Sequence, residues 1–175
     1  MKRSIATGMQ EYSKLNPVEL KEVIVSKFHE TIRDTIGMAE TQLAAAGKIE
    51  KTEEVEVVMN FLEKLKHSFE QHAMREERLL FPLLSLESRE EAIREIEEIG
   101  TFISELKKEH ENMERELDLI KMATNNYQCD PMASPSHKLA YAHLNDVGQD
   151  FRRMFFIEEE FLFPRILRFN LKKQK

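Results

Sequence analysis

The sequence predicts an all-α protein, an antiparallel four-helix bundle with up-down-up-down order. Apolar residues recur every three or four positions through four long segments, which is the period of one face of a helix. Strand-like alternation of apolar and polar residues is absent from the sequence, and the connections between the segments are short. Because helices joined by short connections pack antiparallel, four of them form an up-down-up-down bundle.

Composition limits the classes of protein to which the chain can belong. Its 175 residues suffice for one domain with a core that needs no disulfides. The net charge of −6 argues against nucleic acid and anionic membrane surfaces as partners. The sequence has neither a membrane-spanning run nor the apolar core of a signal peptide. Its single cysteine, Cys129, fits a reducing compartment, so we expect a cytoplasmic protein.

The first helix is predicted to begin at Asn16-Pro17, a capping residue followed by a proline. We expect this helix to continue to about Ala46 and to stop at Gly47. Residues 1–16 are then an N-terminal extension, residues 17–170 the bundle and residues 171–175 a basic tail. The apolar stripe of the first helix consists of Leu20, Ile24, Phe28, Ile32 and Ile36.

The second helix is predicted over about residues 54–84, with Pro82 kinking or ending its last turn. A capping box, Ser88-Arg89-Glu90-Glu91, predicts the start of the third helical region, whose apolar stripe continues to Ile120. Gly100 interrupts this region, so the sequence leaves open one bent helix or two.

Residues 125–135, NNYQCDPMASP, form the only clear loop of the sequence. The fourth helix is predicted to start near Ser134 or Ser136. Its predicted inward stripe consists of Leu139, His143, Val147, Phe151, Met154, Glu158, Leu162 and Ile166.

Two segments carry a candidate metal-binding motif. In QHAMREERLLFP, residues 71–82, His72 and Glu76 are four residues apart and therefore share a helix face. An imidazole and a carboxylate that point to one place suit iron, manganese or zinc. The segment MFFIEEEFLFP, residues 154–164, repeats the motif 82 residues later. Glu158 matches Glu76 there, but Met154 stands where the first segment has His72.

Two more histidines extend the duplication to the other helices. His29 and His110 align at an offset of 81 residues, and their apolar neighbours match. The chain thus consists of two similar helix pairs, and a pseudo-twofold axis would bring five polar residues to one layer: His29, His72, Glu76, His110 and Glu158. Because buried carboxylates without a cation are costly, this layer predicts a metal site with bridging glutamates.

Other polar residues near the motifs are predicted to lie outside the site. Glu77 and Glu159 follow the two candidate ligands by one residue and are expected to face solvent, as is His67. Glu114, four residues after His110, is an alternative ligand for the position that Met154 leaves. Two histidines lie too far along the fourth helix to fill it: His137 and His143.

Four segments resemble the hemerythrin-like HHE cation-binding proteins, and more narrowly their di-iron "repair of iron centres" branch. They are HETIRDTIGMAE (29–40), HAMREERLLFP (72–82), EHENMERELDLI (109–120) and IEEEFLFPRIL (157–167). The resemblance covers roughly residues 20–169. It implies a four-helix bundle with a non-haem di-iron centre, the five residues above as ligands, and repair of iron–sulfur clusters damaged by nitric oxide or peroxide.

The sequence departs from that branch at Met154, which replaces the family's fourth-helix histidine. A thioether is a soft ligand and is poorly matched to iron beside carboxylates. Ile32 and Gly37 also stand where the branch often has histidine and proline. Two interpretations stay open: a dinuclear site with an open position that admits dioxygen or nitric oxide, or a weak or absent second metal.

Four functions are compatible with these residues, and all but the last need one or two iron ions, or manganese or zinc in vitro. The first is iron–sulfur cluster repair under stress, with damaged iron–sulfur proteins as partners. The second is reversible binding or sensing of dioxygen or nitric oxide. The third is a peroxidase-like activity, although the sequence favours a metal-binding protein over a classified enzyme. The fourth is a degenerate bundle that binds another protein.

Overall fold

A computed structural model describes residues 9–50, 53–84 and 99–171, and within these ranges the chain is almost entirely helical and contains no strand. Four long helices form a bundle, which confirms the predicted all-α class. A short 3₁₀ turn, Tyr12–Lys14, precedes the first of them. No helix in the described part of the chain has the length and apolar character needed to cross a membrane.

The first helix, α1, comprises Pro17–Val23, a π-helical segment Ile24–His29, and Glu30–Glu50. Asn16 caps it: its side chain accepts hydrogen bonds from the amides of Val18 and Glu19. The predicted stop at Gly47 was wrong, because this glycine has no left-handed backbone and the helix continues past it. A Cβ atom at Gly47 would lie 3.4 Å from the Val55 side chain, an ordinary van der Waals distance.

The second helix, α2, comprises Glu53–Arg75, a π-helical segment Glu76–Leu80, and a 3₁₀ turn Phe81–Leu84 that contains Pro82. The third, α3, is described as Ile99–Ala123. The predicted capping box at residues 88–91 lies outside the described residues. Gly100 is the second residue of the described helix, so continuity before it stays untested.

The α3–α4 loop begins with three consecutive residues in the left-handed backbone region, Asn125, Asn126 and Tyr127 (φ of 44°, 65° and 62°). Helix α4 comprises Pro135–Ile157, a π-helical segment Glu158–Leu162, and Phe163–Leu171. Ser134 caps it by accepting from the amide of His137, as one of the two predicted starts requires.

The predicted stripe of α4 was partly wrong at its beginning. Leu139 is 45% exposed, whereas Ala140, Tyr141 and Leu144 are buried and form the inward face of the first turns. From Val147 onward the predicted positions are buried. The error arises because the sequence stripe was drawn through Leu139, whereas the small Ala140 and the amphipathic Tyr141 take the inward positions.

Each helix contacts two neighbours, α1 with α2 and α4, and α3 with α2 and α4. The polar contacts between neighbours share one pattern, in which residue numbers rise along one helix as they fall along the other. They include Arg33–Glu70 and Glu40–Lys66, Arg75–Glu105 and Ser68–Glu116, Asp118–Arg152 and His110–Glu159, and, between the two ends of the chain, Glu50–His137 and Leu15–Arg165.

The core between the helices is largely apolar, and most of its buried polar residues form one layer near the middle. Buried charge is costly unless it is paired or binds a cation, so this layer is the first place to look for function. The buried polar residues of the described chain are His29, His72, Glu76, His110, Thr124, His137 and Glu158.

Candidate metal centre

The structure brings the five predicted site residues together from all four helices. His29 lies on α1, His72 and Glu76 on α2, His110 on α3 and Glu158 on α4. Four of them are fully buried, and His110 is 2% exposed. Each sits on the inward stripe of its helix, so the same helical period that builds the core also gathers the ligand atoms.

The donor atoms form two overlapping groups, each with three atoms within 4.8 Å of one another. The first position is His72, His110 and Glu158; the second is His29, Glu76 and Glu158. In the first, the Nε2 atom of His110 lies 2.9 Å from Oε2 of Glu158. In the second, the Nε2 atom of His29 lies 3.3 Å from Oε2 of Glu76.

Both glutamates can be shared between the two positions. Glu158 belongs to both groups, and its Oε2 atom also lies 3.8 Å from Nε2 of His72. The Oε2 atom of Glu76 is 3.3 Å from His29 and 3.7 Å from His72. Two carboxylates between two sets of imidazoles can bridge a pair of cations, as in the carboxylate-rich sites of other four-helix bundles.

The Nδ1 atom of each site histidine, its outer nitrogen, is hydrogen-bonded to a glutamate. The Nδ1 atoms of three histidines lie 2.8 Å from carboxylate oxygens, in the pairs His29–Glu77, His72–Glu109 and His110–Glu159. An ionised carboxylate can only accept, so each Nδ1 donates its hydrogen, and in the neutral imidazole Nε2 then carries the lone pair. This is the arrangement in which a histidine binds a metal through Nε2.

The prediction that Glu77 and Glu159 simply face solvent was therefore wrong. They are 36% and 31% exposed, but their carboxylates reach the histidine of the neighbouring helix. One residue beyond a ligand the helix has turned by about 100°, which points the side chain at the helix–helix boundary. The signal was present in the sequence, because Glu77 and Glu159 repeat at the same offset as Glu76 and Glu158.

The chemistry of the inward-facing atoms fits a cation. Nε2 of His29 and all four oxygens of Glu76 and Glu158 have no hydrogen-bond partner among the described residues. The Nε2 atoms of His72 and His110 are 3.2 Å apart, and as neutral imidazoles with both outer nitrogens donating, neither would have a hydrogen for the other. Lone pairs and carboxylates that converge in a buried layer need positive charge, and nitrogen with oxygen donors suits iron, manganese or zinc.

The hemerythrin HHE cation-binding domain profile matches residues 23–166, which include all five residues. The chain belongs to this family. The expected resemblance is thus confirmed, and with it a cation-binding helical bundle. The family match and the converging His and Glu donors support metal binding at this layer.

Curated relatives of this hemerythrin-like chain carry names that refer to iron–sulfur clusters. It is 26% identical over 163 residues to a probable iron-sulfur cluster repair protein of Haemophilus influenzae, covering 90% of this chain and 69% of the relative. It is 25% identical over 151 residues to the iron-sulfur cluster repair protein YtfE of Citrobacter koseri, covering 85% and 66%. A YtfE protein of Escherichia coli O81 gives the same values. The chain thus spans about two thirds of the length of these relatives.

Electrostatics in this hemerythrin-like layer are dominated by mutual attraction of the buried groups. Burial lowers the pKa of His72, but the charges of Glu76, Glu109 and Glu158 outweigh it and raise that pKa to about 10. Burial raises the pKa of Glu158, but His110 and His72 outweigh it and lower that pKa to about 2. Metal-free, the layer therefore retains protons that a bound cation would displace.

Two arginines form ion pairs with two of the three outer glutamates, Glu77 and Glu109. Arg33 lies 3.3 Å from Glu77, and Arg75 pairs with Glu109. Burial raises the pKa of Glu109, but His72 and Arg75 outweigh it and lower that pKa. The carboxylate thus stays ionised and remains an acceptor for the outer nitrogen of His72.

Each π-helical segment of the structure begins or ends at a candidate ligand. Ile24–His29 ends at His29, whereas Glu76–Leu80 and Glu158–Leu162 begin at the two glutamates. Segments of this kind are rare and occur frequently at functional sites. The hydrophobic period of the sequence did not predict them, because a single widened turn changes it very little.

The remaining polar candidates lie away from the layer. Glu114 is exposed, so its prediction as an alternative ligand was wrong; Met113 and Leu117 take the inward positions there. His67 is exposed, as predicted. His137 is buried, but its Nδ1 atom lies 2.5 Å from Glu50 at the end of α1.

Proposed function

We propose that this protein binds non-haem iron at the buried layer, as a dinuclear or partly occupied centre, and that it serves the repair of iron–sulfur clusters. The proposed ligands are His29, His72, Glu76, His110 and Glu158, with the two glutamates bridging. The family match supports a cation site, and the relatives' names support iron–sulfur repair.

One observation carries the proposal. Glu76 and Glu158 are fully buried and face the Nε2 atoms of the site histidines, and with those imidazoles neutral no described residue donates a hydrogen bond to their four oxygens. Two such carboxylates would destabilise an apolar core, and a purely structural bundle would be better served by leucines. A divalent or trivalent cation removes that cost.

The chain's own residues orient and isolate the centre. Glu77, Glu109 and Glu159 fix the tautomer and direction of the imidazoles, and the phenylalanine rings around them keep water from the inward atoms. Bound iron would supply Lewis-acid and redox chemistry at this position.

The up-down-up-down order of the helices, a bundle domain over residues 17–170 and a cytoplasmic location belong to the same proposal. Contacts between neighbouring helices support the order, because residue numbers fall along one helix as they rise along the next. The family match over residues 23–166 supports a domain of about this extent.

Metal analysis of the purified protein tests the site. We expect fewer than two tightly held irons per chain in the wild type, because Met154 supplies no imidazole, and a gain in Met154→His. Glu158→Ala should abolish dinuclear binding, because it removes a donor common to both positions. An unchanged iron count in Glu158→Ala would show that the site lies elsewhere.

Repair is tested with an iron–sulfur enzyme inactivated by nitric oxide. The iron-loaded protein should restore its activity, and the metal-free protein should not. Equal restoration by free ferrous ion at the same concentration would contradict a role for the protein itself. Failure with iron bound would leave a metal-binding protein with a different function.

Binding of dioxygen or nitric oxide is a second candidate, and the fully buried Met154 favours it. A methionine at the place of a histidine would leave a metal position with one donor fewer, and such a position can take a diatomic ligand. A stable adduct of the reduced protein, seen by optical spectroscopy, would support this function. Multiple turnover of peroxide would indicate an enzyme instead.

A further inference from the structure

The duplicated sequence relates the two halves of the centre residue by residue. Helix α1 aligns with α3 at an offset of 81 residues, and α2 aligns with α4 at an offset of 82. In this alignment the donors of the first metal position correspond to residues of the second. His110 falls on His29, Glu158 on Glu76, and His72 on Met154. The first position therefore has two imidazoles, whereas its counterpart has one imidazole and a buried methionine.

The outer carboxylates differ between the halves in the same way. Glu159, which holds His110, falls on Glu77, which holds His29, and both contacts measure 2.8 Å. Glu109, which holds His72, falls on Phe28. Phe28 is 4% exposed and shares the apolar core with Met154, and its segment Ile24–His29 contacts the helix Pro135–Ile157. The pair His72–Glu109 of the first position thus corresponds to two apolar residues, Met154 and Phe28, at the second position.

Packing around the two equivalent histidines is unequal as well. His110 is stacked on Phe155 at 4.2 Å and on Phe163 at 5.8 Å between ring centroids. The duplication carries Phe163 onto Phe81, which is stacked on His29 at 6.2 Å, but it carries Phe155 onto Ala73. His29 is therefore stacked on one phenylalanine ring where His110 has two.

We propose that Phe28 and Met154 together make the second position, at His29 and Glu76, the weaker and exchangeable one of the two. The first position retains two oriented imidazoles and holds its iron. This inference rests on the proposed iron site and adds which ion leaves and which residues cause it. An exchangeable iron beside a retained one suits a protein that gives iron to another site.

Phe28 matters because a histidine at position 154 needs more than space. A histidine that binds metal through Nε2 almost always donates its Nδ1 hydrogen to an acceptor, and Phe28 offers none. A buried imidazole with an unpaired donor is itself destabilising. The two residues therefore act as a pair, and reversing one of them alone should restore only part of the second position.

A chelator challenge of the full chain distinguishes the two positions. The protein is loaded anaerobically with ferrous ion and incubated with a chelator of ferrous ion. The iron that remains bound to the protein is then measured over time. The wild type should keep about one iron per chain. His29→Ala should keep the same amount, whereas His110→Ala should lose its retained iron about tenfold faster or more, in line with the loss of a ligand or of its support.

The paired substitution gives a second, independent test. Met154→His should slow the loss of the second iron modestly, and Met154→His with Phe28→Glu should slow it by about tenfold or more beyond that. Met154→Leu is the matched control, because it removes the sulfur without adding an imidazole, and it should leave iron retention unchanged. Faster loss of the second iron in Met154→Leu than in the wild type would show that the thioether is a ligand and would overturn the inference.

The outcomes separate this inference from the proposed function. No iron bound before the challenge would contradict the iron site itself. Two equally resistant irons in the wild type, or retained iron that depends on His29 and not on His110, would contradict only the inequality of the positions. Should the double variant fail to fold, the comparison of His29→Ala with His110→Ala still decides.

Discussion

At the level of single residues, the site histidines are oriented by carboxylates that do not reach the inward layer. Glu77 and Glu159 each follow a candidate glutamate ligand on the same helix, and each lies 2.8 Å from Nδ1 of a histidine on the adjacent helix. Arg33 then fixes Glu77 from the other side. The orientation of the His29 ring is therefore set by Glu77, which does not touch the metal position, and by Arg33 behind it.

Glu77→Gln should weaken iron binding about 10- to 100-fold, the usual cost of losing such a partner. The amide can offer a donor to His29 where the carboxylate only accepts, which favours the wrong tautomer. Iron affinity, measured by competition with a chelator, checks this. Glu63→Gln is the control, because it makes the same change at an exposed position of the same helix. Equal affinity in both variants would mean that Glu77 does not orient His29.

The residues of the inward layer could be predicted from the sequence, because the duplication and the helical period independently select the same positions. The structure brings together His29, His72, Glu76, His110 and Glu158, and their role as ligands stays a prediction. The outer glutamates could not be predicted by period alone. A period gives the direction in which a side chain leaves its helix, but not how far it reaches across to the next one.

At the level of the helices, two glycines in helix interiors have opposite consequences. Gly37 in α1 has no atom within 4 Å of the place where a Cβ would lie. Gly148 in α4 has the Tyr127 hydroxyl at 3.2 Å and the Arg152 guanidinium at 3.4 Å. The first glycine only weakens its helix, whereas the second gives room to a ring from the left-handed turn after α3.

Gly37→Ala should therefore stabilise the fold by about 0.5–1 kcal/mol, the usual difference between alanine and glycine in a helix interior. Gly148→Ala should destabilise it, because the Tyr127 ring would have to shift. Urea unfolding of the metal-free variants measures both changes. Stabilisation of similar size in both would show that Tyr127 moves without cost and that the close approach has no structural role.

Helix boundaries were predictable where a local cap determines them and less so elsewhere. Asn16 and Ser134 cap α1 and α4 as their sequences indicate. Gly47 was misinterpreted as a stop because a glycine inside a helix looks the same in a sequence as one that ends a helix. Its backbone conformation, which is not left-handed, distinguishes the two cases.

At the level of the whole molecule, Glu50 ties the first helix to the last. Its carboxylate accepts from the Ser134 amide at 2.7 Å and lies 2.5 Å from Nδ1 of His137, at the start of α4. An anion there also complements the positive end of the helix dipole. The hydrogen bonds from Ser134 and His137 lower the pKa of Glu50 to about 2.

This lowered pKa predicts an acid-dependent contribution to stability. Glu50 is more acidic in the folded chain than unfolded, so its contribution is complete above about pH 4.5 and is lost as the pH falls toward 2. Glu50→Gln should thus be less stable than the wild type at pH 7, with the difference shrinking below pH 4.5. Urea unfolding of the metal-free proteins measures it, with Glu53→Gln as an exposed control. A difference that stays constant with pH would contradict the ion pair.

The π-helical segments give the metal layer a property that apolar packing alone would not. At Ile24–His29, Glu76–Leu80 and Glu158–Leu162 the backbone changes to the wider hydrogen-bond pattern of a π-helix, and each segment holds a buried candidate ligand. In the metal-free protein, burial raises the pKa of Glu76, which reflects the cost of an ionised carboxylate in the core. Backbone amides there should exchange with deuterium sooner than their burial suggests, and iron should slow them more than amides near Glu50. The middle of the bundle would then unfold locally more readily than the other helical regions until a cation binds there.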